Sequence, residues 1–221
     1  MKIKKKLFKS SNKRKNSSRW TAILLCVSLV VVFSVMQALE SNSATDTDQI
    51  TLQVTVAQTV SIDCGTDPVN LGTLTPGTPV SNSTTCTVTT NAESGYDLAV
   101  KRDDSDTTMD KTDEATTNIT DKTAWNSSSP NAAAYSGTGL GFSVYASTAT
   151  KNTTWWGTGT ACHDASNLYA GFPTAYGTIM DHDSYSASST TSSVCYRLDT
   201  PGTQKSGTYD GTITYQATTK P

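Results

Sequence analysis

Two histidines, His163 and His182, each stand in a short acidic run: Cys162-His163-Asp164 and Met180-Asp181-His182-Asp183. Imidazole beside carboxylate is a donor set that suits a transition metal. Exposed loop residues of an acidic protein give the same runs. With no H-E-x-x-H and no C-x-x-C knuckle in the chain, we read them as that. The densest acidic run is Asp103, Asp104, Asp106, Asp110, Asp113 and Glu114, and hard oxygen donors on a loop are what calcium uses. Counted from Asp103, Glu114 falls at the twelfth position of an EF-hand loop. Thr108 occupies the place that needs glycine, however, and Ser105 and Thr107 stand where acidic or amide ligands belong. A solvated loop over Asp103–Lys122 is therefore expected. No G-x-S-x-G or P-loop pattern occurs. A cysteine engaged in a disulfide is no nucleophile, so Cys162 beside His163 makes no catalytic dyad. We expect no catalytic residue, no cofactor and no metal, hence no enzyme.

Trp155, Trp156, Tyr169, Phe172, Tyr176 and Tyr185 crowd one stretch. Exposed together they would form a platform for a sugar or a protein; buried, they would fill a core. Leaving Cys26 aside, Cys64, Cys86, Cys162 and Cys195 make an even set, which in an exported segment reads as two disulfides. Three pairings exist, and Cys64–Cys86 with Cys162–Cys195 is favoured because each joins neighbouring parts of the chain. The N-x-S/T triplets at Asn82, Asn118, Asn126 and Asn152 are what chance gives in a chain this rich in Ser and Thr. Thr208–Thr218 holds neither Asn nor Lys, which argues against an isopeptide staple in the last strand.

The elements that must position these residues are set by charge and hydropathy. Nine of the 17 Lys+Arg lie between Lys2 and Arg19, and no acidic residue precedes Glu40. The remaining chain is strongly acidic, and its field repels nucleic acid. Residues 20–39, WTAILLCVSLVVVFSVMQAL, carry no charge. As a helix they span about 30 Å, the thickness of a hydrocarbon core. The flanking charges place the basic residues 1–19 in the cytoplasm and everything from 40 onward outside. The segment reads as a retained membrane anchor, with a cleaved signal peptide as the alternative. Residues 40–48 are a polar linker, and residues 49–221 an extracytoplasmic domain.

That domain has strand periodicity and no helical one. From Ile50 to Cys64 the even positions Ile50, Leu52, Val54, Val56, Val60, Ile62 and Cys64 are apolar, while the odd positions are nearly all polar. We expect one strand here, paired within its own domain and burying that face. Alternation recurs in Tyr96-Leu98-Val100, Leu140-Phe142-Val144, Val194-Tyr196-Leu198 and Tyr209-Ile213-Tyr215-Ala217. Thr75-Pro76-Gly77-Thr78, Ser94-Gly95, Thr200-Pro201-Gly202-Thr203 and Ser206-Gly207 supply the turns. Many short strands between Gly/Pro turns predict an all-β, antiparallel sandwich of seven to nine strands. Ser147–Ser193 is long for a loop and should hold irregular strands stapled by Cys162.

Three stretches together carry a resemblance. The first runs from Val69-Asn70-Leu71-Gly72-Thr73-Leu74 through Thr85-Cys86-Thr87-Val88 to Gly95-Tyr96-Asp97-Leu98. The second is Gly141-Phe142-Ser143-Val144-Tyr145 with Trp156-Gly157. The third is Pro201-Gly202-Thr203, then Ser206-Gly207-Thr208-Tyr209-Asp210-Gly211-Thr212-Ile213-Thr214-Tyr215, which reads as a final hairpin. In that order they resemble bacterial immunoglobulin-like surface domains of the spore coat protein U type, themselves similar to chaperone–usher pilus subunits. They are also similar to WxL-related surface domains, although no Trp-x-Leu occurs and Trp155-Trp156-Gly157 stands nearest. The resemblance implies an immunoglobulin-like sandwich at a cell surface. It also implies a bridge between Cys64 and Cys86, which match the N-terminal cysteine pair of the pilus type.

The expected role is that of a non-enzymatic cell-surface structural or adhesion-type protein held to the membrane by its N-terminal helix. Its partners would be other surface proteins, like subunits or carbohydrate. A carbohydrate- or ligand-binding module and a polymerising pilin-like subunit are the alternatives.

Overall fold

The computed structural model describes residues 24–31 and 45–221. Residues 24–31 are helical, with Leu24, Leu25, Val27 and Leu29 exposed. The rest of the predicted apolar span 20–39 lies outside the described residues. Among those described, no helix is long and apolar enough to cross a membrane. Residues Thr55–Pro221 form one compact unit, and it is built of antiparallel sheets.

One sheet holds β1 (Val60–Cys64), β2 (Val80–Thr90), β10 (Thr190–Asp199) and β7 (Gly139–Ser147), in that order. The other holds β12 (Ile213–Thr219), β3 (Tyr96–Arg102) and β9 (Gly177–His182). Their inner faces make the core. Cys86 and Val88 of β2, Phe142 and Val144 of β7, and Val194, Tyr196 and Leu198 of β10 pack with Tyr96, Leu98 and Val100 of β3 and Ile179 and Met180 of β9. Full burial of a large apolar side chain stabilises by roughly 1.5–3 kcal/mol, so these rows dominate the fold. Buried hydroxyls also tie the layers: Tyr96 shares a 2.6 Å hydrogen bond with Thr190, and Tyr196 a 2.8 Å one with Tyr215.

Smaller ladders close the ends. β4 (Met109–Lys111) lies between β5 (Glu114–Ile119) and β11 (Tyr209–Asp210), and β6 (Ala133–Ala134) pairs with β8 (Leu168–Tyr169). One helical turn, α1 (Thr153–Trp156), is started by the Asn152 side chain, which accepts from the backbone N–H of Thr154 and Trp155. Gly157 ends it at φ 73°, where a Cβ would lie 2.0 Å from Ser166 O. This turn sets Trp156 into the core with no exposed surface.

Three expectations are corrected. Asp103–Lys122 is not simply a solvated loop, because β4 and β5 pair within it and bury Ile119. The final hairpin is two strands in different sheets: β11 pairs with β4, while β12 pairs with β3. The strand predicted from Ile50 begins only at Val60. Its ladder opens at Val60↔Thr90, and β2 ends at Thr90 before the chain turns toward β3, so this ladder does not extend to earlier residues. Alternation specifies which face a strand would bury, and a ladder is still needed to bury it.

Candidate functional site

Among the described residues, β1 and β12, the end strands of the two main sheets on one flank, each pair on one side only, and they are neighbours. β1 bonds β2 and β12 bonds β3. On β1, Val60, Ile62 and Cys64 pack against the core yet stay half-buried, as do Ile213, Tyr215 and Ala217 on β12. The ladder partners of Ile62, Cys64, Tyr215 and Ala217, which are Val88, Cys86, Val100 and Leu98, are buried, while Thr90 opposite Val60 and Arg102 opposite Ile213 are half-buried. Val69, Leu71, Leu74 and Val80 are half-buried against the core in the same way. At one end the two strands are tied, because Gln58 Nε2 donates to Lys220 O at 3.3 Å. The Lys220 ammonium is itself held by Asp97, Asp181 and Asp183. Unpaired edge backbone beside an incompletely covered apolar row is what an added strand requires. Main-chain bonds give affinity, and alternate side chains fill the row.

An alternating apolar segment that belongs to no ladder precedes β1 in the same chain. Ile50, Leu52, Val54 and Val56 are 82%, 91%, 85% and 76% exposed, at every second position, and residues 50–56 belong to no strand. Thr51, Gln53 and Thr55 occupy the positions between, so pairing on an edge would turn one apolar and one polar face.

The remaining predicted residues are distributed as follows. Cys64–Cys86 and Cys162–Cys195 are both bridged, as the pairing by neighbourhood predicted, and Cys26 is free and exposed. Two disulfides fit an oxidising compartment. The six aromatics do not gather on the surface. Trp156, Phe172 and Tyr169 are buried, Trp155 is half-buried, and only Tyr176 and Tyr185 are exposed. Trp156 packs on Phe142 at 5.1 Å and on Trp125 at 4.5 Å between ring centroids, and Phe142 stacks on Phe172 at 4.6 Å. An indole without exposed surface offers no face to a sugar, so these rings are core. Trp125, which sequence reasoning left aside, is buried with them. The available signal was its type, since a buried tryptophan needs a partner for its N–H.

His163 is exposed and His182 packs its ring on Tyr96 at 5.4 Å. Neither belongs to the metal-type grouping found among the described residues, which is Asp104, Asp106 and Asp110 with oxygens within 4.8 Å of one another. Loss of solvation, then the charges of Asp106 and Asp110, push Asp104 up to about 6. The Thr107 backbone N–H holds Asp106 low. The rest of the acidic run is spent on separate partners: Asp103 accepts from Thr212 N, Asp113 pairs with Lys111, and Glu114 pairs with Lys205. The chain matches no known protein family and no characterised protein.

Proposed function

We propose that this chain is a non-enzymatic, exported surface protein whose copies join into a fibre, the Ile50–Val56 arm of one copy adding as a strand on the β1 and β12 edges of the next. The observation that carries this reading is the pairing of complementary defects: four large apolar side chains exposed on alternate positions, and two neighbouring edge strands with half-buried inward rows. Burying the four side chains is worth roughly 1.5–3 kcal/mol each before the cost of association. The resemblance to immunoglobulin-like pilus and spore-coat domains points the same way. So does the apolar run 20–39 with its basic flank, which directs the acidic remainder outward.

The test is self-association of the chain from Glu40 onward, followed by sedimentation and electron microscopy. Concentration-dependent linear oligomers that disappear on Leu52→Lys with Val54→Lys are expected. A chain that stays monomeric at high concentration, and whose body binds no synthetic Asp48–Gln58 peptide, would overturn the proposal.

A further inference from the structure

A two-sheet body that grows by strand addition has two flanks on which a strand can add, and a linear product uses one. The flank opposite β1 and β12 carries the edges of β7 and β9, which meet where Ser147 Oγ contacts Met180 Sδ at 3.9 Å. The edge of β7 is taken up by backbone. Phe142 N donates to Ala170 O and Ala170 N to Phe142 O, at 2.8 and 3.1 Å. Leu140 N donates to Thr120 O at 2.9 Å, and Lys122 N to Leu140 O at 2.7 Å.

The edge of β9 is closed differently. Trp125 Nε1 donates to Thr178 O at 2.7 Å, and Trp156 Nε1 to Ile179 O at 2.8 Å. Ile179 is the extra residue of a bulge, since Leu98 pairs with Met180 and Ala99 with Thr178. A bulge already interrupts the regular ladder that an incoming strand would copy. Both indoles are buried, with 3% and 0% exposure, and their rings pack on each other. Phenylalanine would serve the apolar contacts with Phe142 as well. What the indoles add is an N–H, which donates and cannot accept. Each occupies a carbonyl that an added strand would need.

We propose that Trp125 and Trp156 seal the β9 edge, so that the arm of a second copy adds only at β1 and β12 and assembly stays linear. This rests on the strand-addition reading above. Without the two N–H groups, the carbonyls of Thr178 and Ile179 lose these partners, the Trp125 segment and α1 lift from β9, and β9 becomes a second acceptor for an Ile50–Val56 arm.

The experiment titrates synthetic Asp48–Gln58 peptide into the full chain in detergent, carrying Leu52→Lys and Val54→Lys so that its own arm does not compete. The unmodified tryptophans should give one peptide per chain. Replacing both by benzothienylalanine, which keeps the ring shape and lacks the N–H, should give two. A folded replacement chain that still binds one peptide overturns the seal, as does binding of two by the tryptophan chain. Binding of none by the tryptophan chain instead defeats the strand-addition reading itself. Should the replacement chain fail to fold, amide exchange on the tryptophan chain decides. Protection gained on peptide binding at Val60–Cys64 or Ile213–Thr219 and not at Gly177–His182 supports the seal, and protection gained at Gly177–His182 overturns it.

Discussion

The hydroxyls of Tyr196 and Tyr215 lie 2.8 Å apart and join β10 of one sheet to β12 of the other. The bond matters because β12 has a ladder on one side only, so cross-layer contacts must hold the other. Replacing either tyrosine by phenylalanine leaves a buried hydroxyl without its partner and should cost about 1 kcal/mol. Equilibrium denaturation of Tyr196→Phe and Tyr215→Phe, singly and together, measures it. Coupling between the two near zero would mean that the contact holds nothing.

The same pair predicts an alkaline limit. Burial pushes Tyr196 up to about 12, with the Tyr215 hydrogen bond pulling slightly back, and burial pushes Tyr215 well above its ordinary value. Burial likewise raises Tyr96, and Tyr135 to about 12. Each folded value lies above the unfolded one near 10, so above that pH the unfolded chain releases protons that the folded chain keeps. The stabilisation is complete below pH about 10 and is lost as pH rises toward 12. Melting temperature should therefore fall steeply above pH 10, and less steeply in the Tyr196→Phe, Tyr215→Phe double variant. Equal slopes in the two proteins would contradict this.

Asp104 gives an effect at the other end of the scale. Its folded value near 6 lies above the ordinary 3.8, so its contribution is present at low pH and lost as pH rises through 6. With Asp106 and Asp110 beside it, ionised Asp104 is a third like charge. Asp104→Asn should raise the melting temperature at pH 7.5 and leave it unchanged at pH 4. The same shift at both values would show that charge is not the cause.

Much of this architecture was written in period-two patterns. The β3, β7 and β10 rows at Leu98, Phe142 and Val194 are buried as their alternation implied, because each has ladder partners and an opposing layer. Other features depend on partners distant in sequence. Tyr209 and Ile213 look like arms of one hairpin but pair with Lys111 and Arg102, in different sheets. Met109 and Ile119 form a ladder inside a run that composition marks as solvated, since Tyr209–Asp210 covers its other side. The candidate site was half legible. The alternation of Ile50–Val56 was plain, whereas the edges of β1 and β12 are defined only by their pairing with β2 and β3.

The two bridges secure different features. Cys64 and Cys86 are ladder partners at the end of β1, so this bond pins the edge strand β1 to β2. Cys162–Cys195 fastens the excursion before β8 onto β10, where Tyr169 OH also donates to Cys162 O at 2.7 Å. Loops of 22 and 33 residues correspond to about 3 kcal/mol each in the loop-entropy account. Cys64→Ser with Cys86→Ser should lower stability by that amount and weaken capture of the Asp48–Gln58 peptide. Cys162→Ser with Cys195→Ser should lower stability alone. Both stability losses come from chemical denaturation, and unchanged peptide affinity in the first variant would separate β1 from peptide capture.

The arm itself should be irrelevant to the stability of the isolated body. Leu52 and Val54 are 91% and 85% exposed, so lysine at either position removes almost no buried apolar surface and leaves no cavity. Within Thr55–Pro221 the chain is anchored where Asn91 Nδ2 donates to Ala57 O at 2.9 Å and Gln58 Nε2 to Lys220 O. Leu52→Lys with Val54→Lys, or deletion of residues 45–56, should leave the melting temperature of the monomer within about a degree or two. Either change should abolish self-association, because two charges cannot be buried in an apolar row without partners. The deletion variant should still capture an added Asp48–Gln58 peptide, since the β1 and β12 edges are unaltered, and that binding should raise its melting temperature in a concentration-dependent way. Calorimetry of the two variants, with and without peptide, separates the roles. A deletion variant that unfolds would show that Ile50–Val56 completes its own domain, and the fibre reading would fall with it.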